Sequence, residues 1–318
     1  MPHPPGFWGH DGVIPRLLSP LSAITKALTA RRVARPGWRA PVPVICVGNV
    51  TVGGAGKTTV ALDVGERLLR QGHAVHFLLR GYGGSVRGPH RVASSDTAST
   101  VGDEALLLAA VAPTWVGADR AASARAATAA GAGVLVMDDG LQNPSLRQDV
   151  PLLVIDGTSG FGNGRLLPAG PLREPVAAAA SRCAAAILIG DDAHGVAAGL
   201  PIKVLRASLV PGTDVAQLRG RHVVAFAGIA RPDKFFDMLR AEGVELAGVV
   251  PFPDHHPYSE ADIARLMGSA DSGVLVTTPK DAVRLPVAVR SRVQVVGVSL
   301  AWEPADAIET FLRDRLLL

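Results

Sequence analysis

Cysteine is nearly absent from this 318-residue chain, with only Cys46 and Cys183 present. No zinc-type spacing exists, and no disulfide framework is possible beyond a single pair. Both residues sit in apolar or alanine-rich runs and read as buried thiols of a reducing compartment. Charge is also sparse: charged residues make up 19% and the net charge is +4. That balance is too mild to imply a nucleic-acid partner. No apolar run reaches the length of a membrane span. The opening residues, "MPHPPGFWGHDG", lack the basic n-region and apolar h-region of a cleavable signal peptide. There is no internal repeat, and the only biased stretch is the alanine-rich segment 177–186.

Hydrophobic residues make up 48% of the chain, enough to bury a sizeable core, and the length suits about two domains. The basic excess is local. Residues 1–40 hold Arg16, Lys26, Arg31, Arg32, Arg35 and Arg39 against Asp11 alone. Within this region, residues 13–34 carry Ile14, Leu17, Leu18, Leu21, Ile24 and Leu28 at spacings of three and four. This predicts a helix with one apolar face. Pro15 suits its first turn and Pro20 predicts a kink. With Phe7 and Trp8 before it and the basic cluster after it, the helix has the profile of one lying in a membrane interface. Packing against its own domain is the alternative.

From Pro41 strands alternate with helices: "VPVICV", "KTTVALDVGERLLRQG", "AVHFLL", "DEALLLAAVA", "TWVGA", "SARAATAAGAG", "VLVMDDG". This predicts an α/β fold with a parallel sheet covered on both faces. After Asp149 the texture changes. A long Gly/Pro loop, "GFGNGRLLPAGPLREP", is followed by further strand candidates, among them "IKVLRASLV", "HVVAFAG", "GVLVTT" and "VQVVGVSL". The expected organisation is therefore an amphipathic N-terminal region over 1–40, a P-loop NTPase-type nucleotide-binding domain over 41–150, and a second α/β/α unit over 151–318. The last strands of that unit are candidates to return to the first domain.

The segment "VICVGNVTVGGAGKTTV" carries the first chemistry. Gly53, Gly54 and Gly56 free the backbone to cradle phosphate oxygens, and the following helix aims its positive end at them. Lys57 would reach the β- and γ-phosphates and Thr58 would hold Mg²⁺. The strict motif needs a glycine where this chain has Thr51. In "MDDGLQ", Asp138 and Asp139 end a strand at the edge where such folds bind ligands, and a metal-holding role competes with an Asx turn. Asp103 and Glu104 open a helix, where acids also serve as simple caps. Asp254, His255 and His256 lie between prolines and could act as base, phosphate contact, metal ligands or solvated loop. Arg80, Tyr82 and Arg173 sit in Gly-rich loops as candidate anion contacts. "TTPKDAV" is not a guanine-specificity motif, because Lys280 and Asp281 are adjacent.

The order "VGNVTVGGAGKT", "RGYGG", "GDEALLL", "DDGLQ", "GRLLPAGPLRE", "FPDHHPY", "KDAVRLP", over nearly the whole chain, resembles the tetraacyldisaccharide 4′-kinases of Gram-negative lipid A biosynthesis. In that family Thr51 is the usual residue at its position. The resemblance implies ATP-dependent phosphorylation of the 4′-hydroxyl of a tetraacylated glucosamine disaccharide 1-phosphate. It implies a nucleotide loop over Thr51, Val52, Gly53, Gly54, Ala55, Gly56, Lys57 and Thr58. Metal-side groups would be Thr58, Glu104, Asp138 and Asp139. Asp103 matches the family's proposed base, working with His255. Arg80, Tyr82, Arg173 and His256 are the implied substrate contacts. ATP and Mg²⁺ are the implied cofactors, and the partners are the lipid substrate and a membrane surface, with no obligate protein partner. The implied location is peripheral, on the cytoplasmic face of the inner membrane. Departures are Asn143, Thr59 and Pro279, where histidine, proline and glutamate are common. A membrane-associated regulatory P-loop ATPase or GTPase is the alternative, and a soluble small-molecule kinase is a weaker third.

Overall fold

The computed structural model describes residues 5–269 and 273–316. Two sheets organise them. The strands are β1 (Val44–Gly48), β2 (Val75–Leu79), β3 (His90–Arg91), β4 (Thr114–Val116), β5 (Val134–Asp138), β6 (Val150–Asp156), β7 (Ala185–Ile189), β8 (Val204–Pro211), β9 (Val223–Ala227), β10 (Leu246–Pro251), β11 (Val274–Thr277), β12 (Gln294–Val295) and β13 (Val298–Glu303). Nine form one sheet in the order β13-β8-β7-β6-β1-β5-β2-β4-β3, and four form a second, β10-β9-β11-β12. The large sheet is parallel except at its two edges, where β13 and β3 run antiparallel to their neighbours. Its central strands β1, β2, β5 and β7 are buried along their whole length. This explains why they read as continuous apolar runs rather than alternating ones.

The chain leaves β1 for a helix, α2, that follows α1 (Val13–Val33) in the chain and spans Lys57–Arg70. Val60, Ala61, Val64, Gly65 and Leu68 form its buried face, at the spacing that the 3.6-residue repeat requires. Gly65 is a packing necessity: a Cβ there would lie 2.3 Å from the Phe77 ring of β2. From α2 the chain passes over β5 to β2, whereas β6 pairs on the other flank of β1. The carboxyl end of β1 is thus a switch point, where open α/β sheets bind ligands.

The expected domain limit at residue 150 needs correction. β6, which begins there, pairs in parallel with β1, so the large sheet continues through it. The chain departs only after β8 and comes back as β13, which pairs with β8 over Arg206–Pro211. The following helix, Ala307–Leu316, buries Ile308 and Phe311 in the first core. Trp302 donates to Asp63 on α2 at 2.9 Å, and Arg67 reaches Glu309 at 2.9 Å. The C-terminal segment therefore belongs to the first unit, and the second unit is the small sheet with its helices. "VQVVGVSL", expected as one strand, splits between the two sheets. β12 pairs with β11, Val296 and Gly297 link the two strands, and β13 joins the large sheet.

The N-terminal helix forms as expected and runs through Pro20 without interruption. Its body-facing side joins buried Pro15 to polar contacts. Ser22 donates to the Leu166 carbonyl at 2.8 Å and Thr29 to that of Arg173 at 3.2 Å. Leu18 is half-buried, so it leaves the predicted stripe. Val13, Ile14, Leu17, Leu21, Ile24 and Leu28 face outward, each 50–74% exposed. The described chain exposes eleven large apolar side chains, and these six form a single stripe. No helix among the described residues is long and apolar enough to cross a membrane.

Candidate active site

The loop after β1 is held from the side. Thr51 makes an isolated bridge with Leu172, Val52 donates its N–H to Pro171 O at 2.8 Å, and Arg173 donates to Val50 O at 2.7 Å. Thr51 is thus in a strand-like pairing, a conformation that needs no glycine, which explains the departure from the strict motif. The glycines that do need their freedom are Gly53, at φ 120°, and Gly56, at φ 84°, where α2 begins. Val52, expected among the phosphate-facing donors, has already spent its N–H on Pro171. The first N–H groups of α2 lack partners within the helix and point to the same place. Lys57 lies over the loop, 3.4 Å from Gly53 O and 4.0 Å from Asp139.

The two aspartates of β5 part company. Asp138 is buried and sits beside Val47 of β1 in register. One carboxylate oxygen accepts from Thr58 at 2.9 Å and the other is buried without a partner. Burial, together with the charges of Glu104 and Asp139, pushes its pKa up to about 7 against the opposing pull of Lys57 and Thr58. Asp139 takes a left-handed conformation, φ 51°, and turns to Arg173 at 2.9 Å. Burial opposes its ionisation, but Lys57 and Arg173 prevail and hold its pKa below the ordinary value.

The orphaned Asp138 oxygen beside a threonine hydroxyl is the donor set that a hard divalent cation takes. Among the described residues no group of three His, Cys, Asp or Glu makes a complete cage. That fits an ion held largely by nucleotide phosphates and water, as Mg²⁺ is in such sites. The residues present therefore fit the implied metal.

Across the site, His255 stands on the loop after β10 with Nδ1 2.9 Å from Asp103 Oδ2. This hydrogen bond raises the imidazole pKa above its ordinary 6.5, outweighing burial. Asp103 is 4% exposed, and burial works against its charge. The His255 hydrogen bond and the charges of Lys280 and Arg284 still lower its pKa. Glu104, next along the helix Asp103–Ala109, pairs with Lys280 at 2.9 Å. Its charge also bears on Asp138.

The neighbouring histidine is placed differently. His256 bonds to Asp262 at 3.0 Å and stacks on Phe252 with ring centres 4.7 Å apart. These contacts tie its ring to the second unit. Asn143 Oδ1 accepts from the Ser145 hydroxyl at 2.8 Å within its own turn. Tyr82 brings its ring to within 6.3 Å of His255, and with Arg80, Gly84 and Arg87 it lines a cavity of about 530 Å³.

Three residues of the site escaped the sequence reading. Gln142 spans Asn49 O and Glu174, each at 2.9 Å, and locks the Arg173 loop to the nucleotide loop. Glu174 is buried and answered by Arg182 at 2.8 Å. Arg120 is buried at a helix start near the aspartates, its pKa pushed down to about 10 by burial and its Nε without a partner. The motif fragments "GLQ" and "LRE" contained the first two; nothing in the sequence around Arg120 marked it.

Comparisons with known proteins bear on the chain's family and fold. A model of the family "LpxK: Tetraacyldisaccharide-1-P 4′-kinase" matches residues 14–317. The tetraacyldisaccharide 4′-kinase of Gluconacetobacter diazotrophicus is 60% identical over 98% of this chain and 97% of its own length. That of Gluconobacter oxydans is 52% identical, covering 97% of each. A crystal structure of LpxK from Aquifex aeolicus in complex with ATP superposes with a TM-score of 0.78 at 24% identity, covering 96% of this chain and all of that one. The match in fold, and the identity to relatives over nearly the whole length, lead to one conclusion: this chain belongs to the tetraacyldisaccharide 4′-kinase family.

Proposed function

We propose that the protein transfers the γ-phosphoryl group of ATP to the 4′-hydroxyl of a tetraacylated glucosamine disaccharide 1-phosphate, forming lipid IVA in lipid A biosynthesis. The observation that carries this reading is the Asp103–His255 pair, set beside Glu104, whose charge bears on the Asp138 that Thr58 of the nucleotide loop meets. A sugar hydroxyl is a poor nucleophile. A buried carboxylate behind a half-exposed imidazole orients the ring and stabilises its cationic form. Unlike the role implied for Asp103 by the resemblance, it is the ring that takes the hydroxyl proton as the phosphoryl group departs, with Asp103 behind it. Gly53 to Thr58 seat the triphosphate, and Lys57 draws on its outer phosphates. Thr58 and Asp138 would hold Mg²⁺, with Glu104 nearby, and the ion would supply positive charge against the phosphates. Arg173, Arg80 and Tyr82 contact the acceptor.

The exposed apolar stripe of α1, with Arg31 and Arg32 in its last turn, seats the enzyme on a membrane surface as a peripheral protein. The inner leaflet on the cytoplasmic side is the location where lipid substrate and ATP meet. The regulatory-switch alternative is not favoured, since a switch has no use for the Asp103–His255 pair. The test is direct: with Mg-ATP the purified protein should phosphorylate the detergent-dispersed disaccharide 1-phosphate, and Lys57→Ala should not. Equal product from Lys57→Ala defeats the proposal.

A further inference from the structure

In the "KDAVR" segment Lys280 pairs with Glu104, while the arginine contacts the loops on either side of His255. We propose that Arg284 is a positioning residue: from the second unit, it sets the loop that aims His255 at Asp103.

Arg284 is 5% exposed, and its guanidinium is used on every side. Nε donates to Lys280 O at 2.9 Å and lies 3.7 Å from Asp103 Oδ2. Nη1 donates to His256 O at 3.1 Å, and Nη2 to Gly228 O and Asp281 Oδ1 at 2.9 Å each. Gly228 O also accepts the His255 N–H at 3.1 Å. Asp281 is fully buried and receives Gly228 N at 2.8 Å and the Tyr258 hydroxyl at 2.6 Å. The arginine therefore ties together the loops after β9 and β10 on either side of His255.

His255 needs such support. Its φ of 59° is a left-handed conformation that a non-glycine residue holds only when its surroundings impose it. The crowding also fixes Gly228, where a Cβ would stand 3.0 Å from Pro253 O and 3.3 Å from Arg284 Nη1. A planar fork can serve these carbonyls and a carboxylate together, whereas a lysine offers one point charge. The same segment reaches the Asp103 helix a second time through Lys280 and Glu104.

The inference rests on the reading of Asp103–His255 as the reacting pair. Its test is a double-mutant cycle in the kinase assay with the full chain. Arg284→Gln should lower kcat by on the order of thirtyfold, with KM for ATP within about twofold of wild type. Arg284→Lys should fall between the two. In a His255→Ala background, Arg284→Gln should cost less than about threefold more, because its loop contacts act through His255 and only its charge still bears on Asp103. Losses that multiply in the double variant, or an Arg284→Gln rate within about threefold of wild type, overturn the proposal. If Arg284→Gln does not fold, Arg284→Lys decides in the same cycle. A fully active His255→Ala removes the underlying reading and this one with it. An inactive His255→Ala beside an unimpaired Arg284→Gln overturns this one alone.

Discussion

Nδ1 of His255 and Oδ2 of Asp103 lie 2.9 Å apart although 152 positions separate them in the chain. The contact crosses from one sheet unit to the other, so it exists only when the two are together. Its partner histidine is occupied by Asp262. His255→Ala should therefore lower kcat by on the order of 10²–10⁴ with little effect on KM for ATP. His256→Ala should keep kcat near wild type and lose thermal stability instead. Equal losses of kcat in the two variants would contradict the assignment.

The same bond sets the pH dependence. The imidazole accepts a proton only when neutral, and Asp103 holds its pKa above 6.5. Activity should therefore fall as the pH is lowered, with a midpoint above the ordinary histidine value. Asp103→Asn removes the anion, so the midpoint should shift downward on a much lower plateau. A kcat–pH profile of both proteins at saturating substrate checks the direction.

Asp138 leads to a separate prediction. Its carboxyl, raised to about 7, must be ionised to hold a cation. Apparent Mg²⁺ affinity, measured with ATP by calorimetry, should weaken by about tenfold per unit as the pH drops below this value. In the metal-free protein the sign reverses. A raised pKa makes stability fall as pH rises from the ordinary 3.8 through about 7, and Asp138→Asn should flatten that fall. A melting temperature that does not change over this range in the metal-free protein would count against the raised value.

Much of this was legible in the chain because it is local. The nucleotide loop, "DDG" at the end of β5 and the α1 periodicity each need only a few consecutive residues. What the chain did not disclose depends on distant partners. The sheet runs through residue 150 because β6 finds β1 more than a hundred positions back, and no texture change reports such pairing. The choice between His255 and His256 turned on which ring met Asp103 and which met Asp262. Arg120 sits in an ordinary-looking helical stretch, and Arg284 lay within a quoted motif whose role only its buried contacts reveal.

Close packing of α2 on β2 can be tested at Gly65. A methyl group there would meet the fully buried Phe77 ring at 2.3 Å. Overpacking costs about 1–3 kcal/mol. Alanine's better helix propensity returns roughly 1 kcal/mol. The overlap is severe, so the first effect prevails. Gly65→Ala should lower the unfolding free energy by about 1–2 kcal/mol in urea titration. A stabilised variant would show that α2 sits farther from β2 than described.

The α1 stripe bears on where the enzyme works. Leu17 and Leu21 are 74% and 50% exposed and contribute little to the fold. Their replacement by glutamate should leave thermal stability within about 0.5 kcal/mol. A leucine moved from water into an apolar layer gains about 1.5–3 kcal/mol. Losing two should weaken partition onto anionic lipid vesicles on the order of a hundredfold or more. The basic residues add attraction that salt screens, so wild-type binding should also weaken in high salt. Sedimentation with vesicles measures both effects. If the Leu17→Glu, Leu21→Glu protein still sediments like wild type, the stripe is not the membrane-seating surface. If it stays in solution yet phosphorylates detergent-dispersed substrate at the wild-type rate, α1 serves delivery to the lipid surface and not the chemistry.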